Sequence, residues 1–99
     1  MATPKLLTAS ERKKQLAKLP DWSTNPKQTT LYRTYTFDSH LDALVFIARV
    51  TVHAEVLQHH PDIEFGYAKV KVKLTTHDVK GLSKLDIQLA QKIESVTRG

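Results

Sequence analysis

"AKVKVKLT", Ala68 to Thr75, is the stretch that decides the fold. It alternates strictly, with Val70, Val72 and Leu74 pointing one way and Lys69, Lys71 and Lys73 the other. A period of two is that of a strand, and this alternation means one buried face and one wet face. Immediately before it, "DIEF" (Asp62–Phe65) reads as a short strand, with Gly66 and Tyr67 turning it into the next. "LYRTYTF" (Leu31–Phe37) is rich in β-formers. A further short strand is expected after Trp22.

Helices flank these strands. An oxygen-bearing residue followed three later by an acid marks a helix start. Thr8 with Glu11, Ser39 with Asp42, and Ser83 with Asp86 fit that pattern. The first helix is expected over Ser10–Lys18, stopping before Pro20, and the second over Leu41–Leu57. The second has Leu41, Leu44, Val45, Ala48, Val52 and Val56 at three- and four-residue steps. It also carries Phe46, Ile47 and Val50, so it is apolar on more than one side. Its β-branched residues are mediocre helix formers, so burial must hold it. A second apolar face suggests a subunit interface. The third helix, Lys84–Val96, places Leu85, Leu89, Ile93 and Val96 on one stripe. The element order is α-β-β-α-β-β-α. Hairpin-sized gaps within each strand pair make this an α+β fold, a four-stranded antiparallel sheet with three helices packed on one face.

At 99 residues the chain holds one core, so residues 1–99 form a single domain. No run approaches the ~18 apolar residues of a membrane span. The first residues lack the apolar core of a signal peptide, and a cytoplasmic location is expected. There is no cysteine, which excludes disulfides, a thiol nucleophile and thiolate metal sites. The net charge of +5 raises nucleic-acid binding as a possibility. The lysines are spread along the chain, however, and serve as solvated faces on the simpler reading. No phosphate loop, GxSxG, Walker motif or RNA-binding aromatic signature is present. No direct nucleic-acid binding is therefore expected.

The chemistry concentrates in "LQHHPD", Leu57 to Asp62. His59 and His60 end the second helix, where Pro61 cannot continue it. His77 follows the strand that ends "KLTTH". A hairpin reverses direction, so the start of "DIEF" lies near the end of "KLTTH". That brings three imidazoles together. Imidazole transfers protons near neutral pH, and clustered rings can divide the roles of acid and base. A second reading is open, in which His59 and His60 are helix-end residues that complement the dipole. A three-histidine metal site is disfavoured, because no HxH or HExxH spacing is present. Glu55, one turn before His59, is either a surface carboxylate or a partner for an imidazole. Asp86 is explained by capping alone. His40 and His53 look unremarkable.

"AEVLQHHPD" followed by "YAKVKVKLTTHDVKGLSKLD" resembles the pterin-4a-carbinolamine dehydratases, known in animals also as a dimerisation cofactor of a homeodomain transcription factor. Ala54, Glu55, His59, His60, Pro61, Tyr67, Val70, Thr76, His77, Gly81, Leu82, Ser83 and Asp86 match the family pattern in order and spacing. The resemblance implies a lyase that removes water from a 4a-hydroxytetrahydropterin to give quinonoid dihydropterin. It serves the aromatic amino-acid hydroxylases and uses neither cofactor nor metal. It implies His59, His60 and His77 as catalytic residues. Glu55, Gln58, Pro61, Thr75, Thr76, Asp78 and Asp86 are implied near the pterin, with Asp86 able to cap its helix and orient His77. The chain departs from the animal members at Gln58, which replaces an Asp, at Ile63, which replaces an aromatic residue, and at Asp78–Val79, where an acid and a cysteine are common. These departures leave the imidazoles intact, so the activity is expected, while the exact substrate preference is open and the animal transcription-factor partnership is not expected. A homodimer or homotetramer through the Leu41–Leu57 helix is implied as well.

Overall fold

The strict alternation at Lys69–Leu74 forms a central strand, and the remaining elements assemble around it. A computed structural model describes residues 4–98. In chain order the elements are α1 (Ala9–Leu16), β1 (Ser23–Thr24), β2 (Leu31–Thr36), α2 (His40–Leu57), β3 (Asp62–Gly66), β4 (Lys69–Leu74) and α3 (Lys84–Arg98). The expected order and class hold. One four-stranded antiparallel sheet runs β1-β2-β4-β3, with Leu31 opposite Leu74 and Asp62 opposite Lys73. A short 3-10 turn, His77–Val79, was not foreseen.

Val70, Val72 and Leu74 are fully buried, as their alternation requires. They meet Leu31 and Tyr35 of β2, Ala43, Phe46, Val50 and Ala54 of α2, and Ile87, Leu89, Ala90 and Ile93 of α3 in one core. Burying a valine such as Val50 contributes about 1.5–3 kcal/mol. Its poor helix propensity costs under about 0.7 kcal/mol, so burial decides. The longer apolar stripe of α2 points the other way. Leu41, Leu44, Val45, Val52 and Val56 are all exposed. α1 carries no buried residue of its own. It is anchored by its flanks, with Leu7 and Leu19 in the core.

All three helix starts carry side-chain caps. Thr8 and Glu11 form a complete capping box. The Ser39 hydroxyl accepts from the Asp42 amide at 3.0 Å. At α3 the Asp86 carboxylate accepts from the Ser83 amide at 2.9 Å, and the Ser83 hydroxyl accepts from the Leu85 amide at 3.2 Å.

The β3–β4 turn is built differently from the sequence expectation. Tyr67 and Ala68 form it, and Ala68 rather than Gly66 takes the left-handed conformation, at φ 51°. Outside bonds hold Ala68 there. Its carbonyl accepts from the Phe37 amide at 2.9 Å, and its amide donates to His40 Nδ1 at 3.0 Å. His40 also stacks on Phe65 and Tyr67 at 4.5 and 5.3 Å between ring centres. This histidine therefore ties the start of α2 to the hairpin tip. The end of α2 lies some 27 Å away at 1.5 Å per residue, beside the opposite end of the hairpin.

On the inner side of the sheet, Glu94 Oε1 accepts from Trp22 Nε1 at 2.9 Å and from the Tyr35 hydroxyl at 3.2 Å, and it also pairs with Arg33. Burial alone would raise the Glu94 pKa. The Trp22 and Arg33 hydrogen bonds and the Arg33 charge overcome it, and the carboxyl is held below its ordinary range. Burial pushes the Tyr35 phenol up.

Candidate active site

The end of α2 is a tight stop. Gln58 adopts φ 51° and its amide bonds the Ala54 and Glu55 carbonyls. The His59 amide returns to the Ala54 carbonyl at 3.0 Å. This is the Schellman arrangement, here with glutamine where glycine is usual. A left-handed non-glycine costs about 1–2 kcal/mol. The Gln58 side chain offsets part of that by donating to the Glu55 carbonyl at 2.7 Å. The chain then leaves the helix axis within one residue. His59 and His60 are delivered across the end of the sheet before Pro61 leads into β3.

The end of β4 completes the site. Thr76 and Gly81 bridge each other, the Thr76 amide donating to the Gly81 carbonyl at 2.8 Å. The 3-10 turn between them carries His77 and Asp78, both exposed. Antiparallel pairing sets Asp62 opposite Lys73, so this loop stands beside the His59–Pro61 segment. The three imidazoles, with Gln58, Thr75, Thr76 and Asp78, line one cavity of about 410 Å³. Its apolar wall is Leu57, Leu85 and Pro4, which the sequence reading did not assign to a site.

The three histidines have different surroundings. His59 is 11% exposed, and its Nε2 lies 2.6 Å from Oδ1 of the fully buried Asp86. His60 Nε2 lies 3.4 Å from Glu55 Oε1, with both side chains open to water. Such an exposed pair contributes about 0–1 kcal/mol. His77 faces solvent.

Asp86 therefore holds His59, not His77 as expected. As the third residue of α3, its carboxylate folds back over the helix start. There it meets the Ser83 amide, the Thr76 hydroxyl at 2.7 Å and the inner side of His59. Glu55, Pro61 and Asp86 are not on the cavity wall; Glu55 and Asp86 sit behind histidines, and Pro61 directs the chain. The Thr75 hydroxyl turns away to donate to the Thr29 carbonyl at 2.7 Å. Ser83 was legible as a helix cap and as part of the family pattern, with no role assigned at the site.

A cavity of about 370 Å³ lies elsewhere, between Lys18–Trp22 and Gln91–Ser95. Of its two carboxylates, Glu94 is already engaged by three donors and Asp21 is exposed near Arg33, and the cavity holds no imidazole. The groups suited to proton transfer near neutral pH, the imidazoles of His59, His60 and His77, line the other cavity. Among the described residues, no group of three His, Asp or Glu side chains is placed to hold a metal ion. No helix among them is long and apolar enough to cross a membrane.

The family model described as pterin 4 alpha carbinolamine dehydratase matches residues 5–96, which include every residue of this site except Pro4. The chain belongs to that family. Relatives from Novosphingobium aromaticivorans and Halorhodospira halophila, named for the same dehydratase, are 42% and 37% identical over 89 and 86 residues. These alignments cover 90% and 87% of this chain and 93% and 79% of the relatives. A crystal structure of a transcriptional coactivator/pterin dehydratase from Brucella melitensis shares the fold of this dehydratase-family chain. It matches at TM-score 0.87 and 33% identity, over 93% of this chain and 98% of that one. A pterin dehydratase-like protein identified as a RuBisCO assembly factor in the alpha-carboxysome matches at TM-score 0.66 and 21% identity, over 77% and 88% of the two chains. At that identity the shared property is the fold.

Proposed function

We infer that the protein dehydrates a 4a-hydroxytetrahydropterin to quinonoid dihydropterin and water, by acid–base catalysis from His59, His60 and His77. One observation carries the reading: three imidazoles from two separate segments line one cavity in a chain of this family. The reaction needs two proton transfers. An imidazolium gives a proton to the C4a hydroxyl as the C–O bond breaks, and water leaves with the electron pair. A neutral imidazole takes the proton from the ring nitrogen next to C4a as the C=N bond forms. Histidine suits both tasks near neutral pH. Gln58, Thr75, Thr76 and Asp78 line the space for the pterin ring, and Glu55, Pro61 and Asp86 support the histidines. In the cell the reaction would recycle the pterin of an aromatic amino-acid hydroxylase in the cytoplasm.

The test is a coupled assay with freshly generated 4a-hydroxytetrahydropterin, following quinonoid dihydropterin against the uncatalysed rate. Acceleration by the protein that His60→Ala loses by ~10²–10⁴-fold supports the reading. No acceleration by folded protein overturns it.

The outward face of α2 supports a second, compatible element: homodimers or homotetramers that cover Leu41, Leu44, Val45, Val52 and Val56. The alternative occupant of that face is a helical segment of another protein, which would make the chain an adaptor. A monomer in solution that binds such a segment would favour the adaptor.

A further inference from the structure

Behind His59 lies a chain of hydrogen bonds whose direction can be worked out. The Leu85 amide can only donate, so the Ser83 hydroxyl oxygen accepts from it, at 3.2 Å. The Ser83 and Thr76 hydroxyl oxygens lie 2.7 Å apart, and Thr76 Oγ1 lies 2.7 Å from Asp86 Oδ2. The Ser83 amide also donates to Oδ2, at 2.9 Å. As a carboxylate, Asp86 only accepts. Thr76 has one proton, and it points at Asp86. Ser83 must then donate to Thr76. The order runs Leu85 N–H to Ser83 O–H to Thr76 O–H to Asp86, with no reversal available.

The other end of the carboxylate imposes the same rule on His59. Oδ1 accepts, so the ring proton sits on Nε2. In the neutral ring the lone pair is then on Nδ1. Among the described residues no buried side-chain nitrogen or oxygen lacks a partner. Among the described residues Nδ1 has no protein partner, so it is open, on a residue that lines the cavity.

We propose that Thr76 and Ser83 are positioning residues. Their aligned hydroxyls fix the Asp86 carboxylate, which locks His59 as the Nε2–H tautomer and turns the Nδ1 lone pair to the cavity. Any proton that His59 exchanges with a ligand passes through Nδ1. The catalytic consequence rests on the dehydratase reading; the tautomer does not. The Thr76 residue lines the cavity, but its hydroxyl is engaged by Ser83 and Asp86, and Ser83 is off the cavity wall.

The test has two independent readouts on the full chain. Long-range ¹H–¹⁵N correlation at alkaline pH reports which ring nitrogen of His59 carries the proton. Wild type is expected to show Nε2–H, and Thr76→Val and Ser83→Ala a mixture of tautomers. Thr76→Ser, which keeps the hydroxyl, should restore the wild-type pattern. In the dehydratase assay Ser83→Ala, off the cavity wall, should lower kcat about tenfold or more with KM unchanged. A wild-type His59 with its proton on Nδ1 overturns the proposal even if the enzyme is active and the variants fail to fold. Folded variants with unchanged tautomer and kcat overturn it also. Wild type with no pterin activity but the expected tautomer pattern supports the positioning role, while the dehydratase reading fails separately.

Discussion

His59 Nε2 and Asp86 Oδ1 are 2.6 Å apart, although 27 residues separate them in the chain. One partner follows the end of α2, and the other lies in the first turn of α3. The carboxylate is wholly buried, and three protein donors meet it: His59, Thr76 and the Ser83 amide. A charge so placed is tolerable only while its partners remain.

Asp86→Asn keeps the shape and removes the charge. It leaves the Thr76 hydroxyl and Ser83 amide facing a weaker acceptor. Stability is expected to fall by about 1–3 kcal/mol in urea unfolding. Turnover should fall ~10²–10⁴-fold in the coupled assay, because His59 loses its fixed proton. Asp86→Asn at wild-type turnover would remove Asp86 from the site.

Glu94 supports the sheet rather than the chemistry. Its depressed pKa means that its contribution is fully present above the ordinary value of 4.5 and is lost as pH falls through the lower folded value. Glu94→Gln is expected to cost about 1–3 kcal/mol at neutral pH. The gap from wild type should narrow on acidification below that value. Denaturation midpoints over a pH series check the sign. A constant gap would mean that packing, not charge, is the source.

Ala68 holds φ 51° in the β3–β4 turn. Glycine removes the Cβ conflict there at some cost in unfolded-state entropy. Ala68→Gly is expected to raise stability by about 0.5–1 kcal/mol, with turnover unchanged, because the hairpin tip and the histidine cavity lie at opposite ends of α2. A lower melting temperature would show that the bonds to Phe37 and His40 depend on the alanine.

Val52 and Val56 are 62% and 78% exposed on the outer face of α2. Val52→Glu with Val56→Glu should leave the fold intact. It should convert a homo-oligomer to monomers in sedimentation velocity. Wild-type protein that sediments as a monomer at micromolar concentration would exclude self-association through this face.

Much of this was legible in residue order. The β4 alternation predicts a one-sided sheet, and the hairpin after Pro61 predicts that His59, His60 and His77 converge. Both are local rules, a period of two and a reversal of direction, so they survive without tertiary knowledge. The turn at Ala68 was misread because Gly66 is the commoner left-handed residue; bonds from Phe37 and His40, far away in sequence, decided otherwise. The family resemblance pointed Asp86 to His77, and only the packing of the α3 start shows that it meets His59 instead.

By itself the sequence determined the element order, the buried face of β4, the helix caps and the gathering of three imidazoles. Periodicity and capping act within a few residues, so they can be read from neighbours. Only the tertiary structure decided which stripe of α2 faces inward, which histidine Asp86 grips, and that Thr76 and Ser83 back that pair. Those outcomes depend on how α2, α3 and the β4 loop pack together. That packing is settled by burial summed over the whole core, and no local pattern encodes it.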